Sequence, residues 1–151
     1  MTDYLSLDTL QPKLASKTSR WLASLIDYII FMACDTGCLL FFGKKTIDTD
    51  GVITYHADGL PALAAIASWW VLLPVLEGLT GQTIGKAIFN IKTVKASGLE
   101  ATIGACIVRH LFDIVDYFPF LGIVGLMVAS NNKLKQRVGD LVAKTIVIKS
   151  N

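Results

Sequence analysis

The chain has 151 residues, a length suited to one domain. Apolar residues make up 53% of it and charged residues 17%, with a mean hydropathy of +0.56; soluble domains carry about 25% charged residues, so this composition points to a membrane protein and excludes disorder. Fourteen Lys and Arg against 12 Asp and Glu leave a net charge of +2, too little to argue for a nucleic-acid binder.

Residues 1–20 are polar, with Lys13, Lys17 and Arg20 close to the first apolar run. That run, Trp21 to Phe42, has 22 residues. As a helix it reaches roughly 33 Å, enough for a hydrocarbon core of about 30 Å. It starts too late and runs too long for a cleaved signal peptide, and no small-residue cleavage site follows it. Residues 43–60 read as a polar loop. Pro61 suits the first turn of a second helix, which runs to about Leu79 and holds Trp69 and Trp70. Pro74 should kink it, as membrane helices tolerate.

Residues 80–100 are polar, Gly-rich and basic. Within them IFNIKTVK fits helix and strand periods, with strand the preferred reading. Residues 101–118 are apolar but carry Arg109, Asp113 and Asp116; Pro119 breaks the run, and Phe120 to Ala129 is apolar again. The tail from Ser130 is basic. Its KTIVIK reads as a strand whose natural partner is IFNIKTVK on the cytoplasmic side.

Short loops rich in Lys and Arg stay in the cytoplasm. Residues 1–20, 80–100 and 131–151 together hold eleven such bases and the loop 43–60 holds two. Both termini are therefore expected inside, with an even number of crossings. Residues 119–130 reach only roughly 18 Å as a helix. They either continue into the tail or form a shallow re-entrant hairpin with 101–118. The alternative is three spans with the tail outside.

Ionisable groups in membrane helices are costly and mark function by default. At helical spacing Thr102, Cys106, Arg109, Asp113 and Asp116 share one face. Arg109 and Asp113, four apart, are placed for an in-helix ion pair. The bland reading is a self-neutralised pair at the interface. In the first helix Arg20, Ser24, Asp27, Cys34 and Cys38 share a face, with Asp35 at its edge. Asp27 reads either as a titrating carboxyl or as a partner for a base on another helix. His110 borders the charged face, as a proton carrier or an interface residue. His56 falls in the outer loop. RWLASLIDY (Arg20 to Tyr28) aligns with RHLFDIVDY (Arg109 to Tyr117), the pattern of a parallel repeat.

Three cysteines in apolar stretches form no disulfide framework, and Cys34 with Cys38 supply too few ligands for zinc. Asp35-Thr36-Gly37 spells a peptidase triplet, but inside an apolar run it lacks the required context. GQTIGK fails the phosphate-loop pattern, since residue 80 is Thr and residue 87 is Ala. Its glycines should instead permit a tight exit from the second helix, with Lys86 at the lipid headgroups.

Arg20 and Asp27 in SRWLASLIDYII, GQTIGKAIFNIKTVKASG (Gly81 to Gly98), Arg109, and KQRVGDLVAKTIVI (Lys135 to Ile148) together resemble the RDD family of small bacterial membrane proteins. The resemblance covers about residues 15–148. The family is named for an arginine and two aspartates; the first two match Arg20 and Asp27. Asp140 is the best match for the second aspartate, with Asp113 or Asp116 as fallbacks. Lys144 departs from the family's usual glycine, which puts the local turn in question. The family is largely without assigned function, and some relatives look like sodium/proton antiporters.

The expected fold is an all-α membrane protein, a single domain over 1–151. It is a helical bundle of two helical hairpins with a short cytoplasmic β-ribbon, and membrane segments at about 21–42, 61–79, 101–118 and 119–130. The expected location is the bacterial inner membrane, N- and C-termini cytoplasmic. Two functions compete. In one, Asp27, Asp113 and Asp116 bind a proton or monovalent cation and Arg20 and Arg109 tune their charge. In the other, the same charges are ties in a non-transporting scaffold that stabilises a partner. Four short segments enclose little space, so a homo-oligomer or a partner membrane protein is expected. Neither an enzymatic activity, a cofactor nor nucleic-acid binding is expected.

Overall fold

The computed structural model describes residues 13–117 and 122–150. Helix α1 spans Lys17–Phe42, starting four residues before the apolar run. Ser16 sets that start by accepting a hydrogen bond from the Ser19 amide at 3.0 Å. The polar loop holds a hairpin the sequence reading missed. Strands β1 (Lys44–Ile47) and β2 (Ile53–His56) pair antiparallel, in register Lys44 with His56. Their exposed, mixed faces give little period-2 signal.

The second long helix begins with α2 (Leu60–Trp70), Pro61 in its first turn as expected. It passes through a π-helical segment, Val71–Val75, that contains Pro74, and ends as α3, Leu76–Thr80. The proline thus widens one turn instead of breaking the helix. Only α1 and the 21-residue Leu60–Thr80 are long and apolar enough to cross a membrane among the described residues. Both carry their large apolar side chains outward: Phe41 is 85% exposed and Leu60 81%.

After Gly81, in the left-handed conformation, the chain forms α4 (Ile84–Ile88) and β3 (Ile91–Lys95). The run IFNIKTVK is therefore helix end plus strand. Segment 101–118 is also divided: α5 (Ile103–Leu111) stops at Phe112, and α6 (Asp113–Tyr117) follows. The break at Pro119 and the start at Phe120 lie outside the described residues. Helix α7 (Ile123–Ser130) has eight residues, about 12 Å. Helix α8 (Val138–Ala143) then leads into β4 (Thr145–Lys149). The expected ribbon is present: β3 and β4 pair antiparallel, Thr93 opposite Val147. Leu14 bridges Ile148 on the outer edge of β4. The apolar core is small, built from Ala15, Ala23, Ile91 and Val147 beside Val94, Ile146 and Ile148.

The short sequence similarity between residues 20–28 and 109–117 extends in three dimensions to 81–95 and 135–149. Gly81 and Lys135 both have positive φ, as do Asn90 and Lys144. The Gln82 side-chain amide donates to the Ile91 carbonyl at 2.9 Å, and that of Gln136 to the Thr145 carbonyl at 2.8 Å. Thr93 and Val147 are equivalent in the two repeats and are also paired across the ribbon, so the pseudo-two-fold axis passes between them.

In each repeat a glycine lets the short helix lie against a longer one. A Cβ on Gly85 would overlap the Ala23 carbonyl oxygen, and one on Gly139 would lie 2.5 Å from the Arg109 carbonyl oxygen. Neither neighbour is a flexible side chain. Gly85→Ala and Gly139→Ala should each cost about 1–3 kcal/mol in detergent unfolding, by overpacking. Gly104→Ala, with nothing within 4 Å, should be neutral or mildly stabilising.

Candidate functional site: a buried ring of charges

Ten acidic or basic side chains are buried among the described residues. Five are acids (Asp27, Glu77, Asp113, Asp116, Asp140), four are Lys or Arg (Arg20, Lys86, Arg109, Arg137), and one is His110. They lie where the start of α1, α3, α4, α5, α6 and α8 converge. In low dielectric each must find a partner.

Asp140 sits on α8 with no exposed surface. Its Oδ1 accepts from Arg109 Nε at 2.5 Å. Its Oδ2 accepts from the Arg137 backbone amide at 3.0 Å, closing the first turn of α8, and pairs with the Arg20 guanidinium. Arg20 also donates to the Lys135 carbonyl. Glu77 is the second hub. Its Oε1 takes Lys86, Arg109 and the Thr93 hydroxyl, and its Oε2 meets His110 Nε2 at 2.6 Å. His110 Nδ1 meets Asp113 Oδ2 at 2.6 Å. Arg137 lies 3.8 Å from Asp113 and 3.9 Å from Asp140. The contacts close into a ring: Arg109, Glu77, His110, Asp113, Arg137, Asp140 and back to Arg109.

The remaining two acids are used alike. Asp27 accepts from Thr83 Oγ1 at 2.5 Å and from the Gly85 amide at 2.7 Å, at the start of α4. Asp116 accepts from the Val138 and Gly139 amides, both at 3.1 Å, at the start of α8. Each carboxylate satisfies amides that the first helical turn leaves without partners. In both repeats the acid seven residues after the arginine pins the short helix.

Several expectations need correction. Arg109 and Asp113 do not form the in-helix pair, because α5 ends between them; Arg109 pairs with Glu77 and Asp140. Lys86 is not at the headgroups. It is 3% exposed and tied to Glu77, with the Thr93 hydroxyl 3.3 Å away. The first-helix stripe holds for Arg20, Ser24 and Asp27 and fails at Cys34, which is exposed. Thr102 is also exposed, and caps α5. Lys144 takes the left-handed conformation, φ 53, that a glycine there would favour. Glu77 was overlooked, although a lone glutamate in an otherwise uncharged apolar run is the signal that an intramembrane acid leaves.

Burial alone would raise the Asp140 pKa, but Arg109, then Arg20 and Arg137, hold its carboxyl well below the usual 3.8. Burial and the nearby Arg109 draw the Lys86 ammonium down to about 8, against the opposing pull of Glu77. Folded Asp140 resists protonation that the unfolded chain accepts near 3.8. Its stabilisation is thus present above that pH and lost as pH falls below it. Asp140→Asn should cost about 3–5 kcal/mol near neutrality, leaving two guanidiniums short of a counter-charge. Detergent unfolding followed from pH 6 to pH 2 should show a shallower acid limb in the variant than in wild type.

The family model of the RDD family matches residues 14–144, from the strand bridge at Leu14 to the left-handed Lys144. No curated protein and no solved structure matches the chain. With the match spanning most of its length, the chain belongs to the RDD family.

Proposed function

We propose that this is a multi-pass inner-membrane protein that moves a proton or monovalent cation, with Glu77, His110 and Asp113 as its protonation site. α1 and Leu60–Thr80 cross the bilayer as a hairpin. Their outward apolar surface suits lipid, and basic residues cluster at the end where the β3–β4 ribbon lies. The shorter α5, α6 and α7 complete the bundle from that side, termini in the cytoplasm.

The observation that carries the reading is His110, held 2.6 Å from a carboxylate on either side. The buried set has five acids and four bases besides His110, and with Lys86 still charged at pH 7 it reaches neutrality when His110 is protonated. One imidazole thereby switches the net charge of the bundle interior, as a proton-linked carrier requires. Asp113 keeps the role expected of it. Asp27 and Asp116, held by backbone amides, serve as pins for the short helices. A scaffold role is favoured by a different fact: each of the five buried acids already has a partner.

Reconstituted wild-type protein should carry a pH-gradient-dependent flux of protons. His110→Asn should abolish it; because losing the bridge between Glu77 and Asp113 should also cost about 3–5 kcal/mol, flux is compared at a temperature where circular dichroism shows both proteins folded. Absence of flux in wild type would overturn transport and leave the scaffold. For topology, Ser150→Cys and Thr49→Cys in a cysteine-free background should label from opposite sides of the membrane. Labelling of both from one side would sink the even number of crossings.

A further inference from the structure

A second feature lies near the other end of α1. A cavity of about 320 Å³ opens between α1 and α2, lined by Phe31, Asp35, Ala65, Ile66, Trp69 and Trp70. That volume falls in the range of small-molecule sites. The two indoles meet edge to face, ring centroids 5.1 Å apart at 89°. Asp35 is the cavity's one ionisable group, and it has no hydrogen-bond or ion-pair partner among the described residues. It sits seven residues before Phe42, about 10 Å from the helix end. An unpaired carboxylate at that depth calls for a cation.

The walls decide which kind. Calcium or magnesium seeks about six or more oxygen ligands, and this cavity offers one carboxylate. Sodium is served no better by three aromatic side chains and two aliphatic ones. Indole and phenyl faces attract an organic ammonium, whose charge is spread over apolar substituents. Ile66 is 60% exposed and Trp70 37%, so the mouth faces where lipid would lie and a lipophilic cation could enter sideways.

We propose that this cavity binds an organic ammonium group, with Asp35 as counter-ion and Trp69, Trp70 and Phe31 as its aromatic walls. Trp69 also stands edge-on to His110, centroids 6.4 Å apart. The site and the protonation chain thus share a wall. The proposal deepens the proton-linked reading by naming the class of cation; binding itself is measured apart from flux, so the two can fail separately.

The test uses the full chain in lipid-free detergent carrying Trp21→Phe, so that fluorescence reports Trp69 and Trp70 alone. Benzyltrimethylammonium should quench it saturably. Neopentylbenzene, its uncharged isostere, should not saturate. Asp35→Asn should weaken ammonium binding at least about tenfold, as loss of a desolvated counter-charge would. It should leave the unfolding temperature unchanged, because Asp35 ties nothing together. A large excess of sodium should not compete. Competition by phosphatidylcholine but not phosphatidylglycerol would identify a lipid headgroup as the source of the ammonium; competition by neither would indicate a free cation. Failure to saturate, equal binding by the isostere, undiminished binding in Asp35→Asn, or equal competition by both lipids would overturn the site. Intact ammonium binding with no proton flux would remove the transport reading alone.

Discussion

Ionisable groups withdrawn from water must neutralise one another, and in this chain that requirement organises the bundle. Polar and charged side chains outnumber apolar ones in the interior of the described residues, and large apolar side chains crowd the exterior. Alanines and β-branched residues form only a small apolar core under the β3–β4 ribbon. The convergence of six helices depends on Asp140 and Glu77. Each carboxylate joins at least three side chains or amides from different parts of the chain. A water-soluble domain would place such groups on its surface. Here their mutual attraction, strengthened by low dielectric and further hydrogen bonds, offsets their desolvation.

Much of this could be read from sequence where the signal is local. The two long helices follow from the length of their apolar runs, and the ribbon from two β-branched segments. Arg20, Asp27, Arg109, Asp113 and Asp116 declare themselves by standing in apolar surroundings. What could not be read is partnership. Arg109 and Asp113 have ideal spacing for a helical pair, but Phe112 ends the helix and sends them to different neighbours. Lys86 looks like an interfacial lysine because it follows a polar, Gly-rich stretch; only the close approach of α4 to α1, permitted by Gly85, puts it beside Glu77. The β1–β2 hairpin lacked both an apolar face and an alternating pattern.

The internal repeat shows why spacing alone misleads. Residues 81–95 and 135–149 share backbone conformation and glutamine hydrogen bonds but few identities. Lys86 and Asp140 occupy equivalent positions with opposite charge. Asp27 and Asp116 do the same task in each half, holding a short helix by its first amides. The arginines instead reach across: Arg20 from the first half takes Asp140 in the second, and Arg109 from the second takes Glu77 in the first. Near-symmetry in the backbone thus supports an asymmetric charge pattern, which leaves one imidazole as the balancing group.

The same crossing sets a timetable for biosynthesis. Arg20 and Asp140 are 120 residues apart in the chain. At about 5–20 residues per second, a ribosome delivers the aspartate roughly 6–24 s after the arginine. Throughout that interval Arg20 waits without the carboxylate it takes in the folded chain. The clasp between the halves is consequently among the last contacts a nascent chain can make, and a product truncated before α8 would leave the Arg20 guanidinium without its carboxylate.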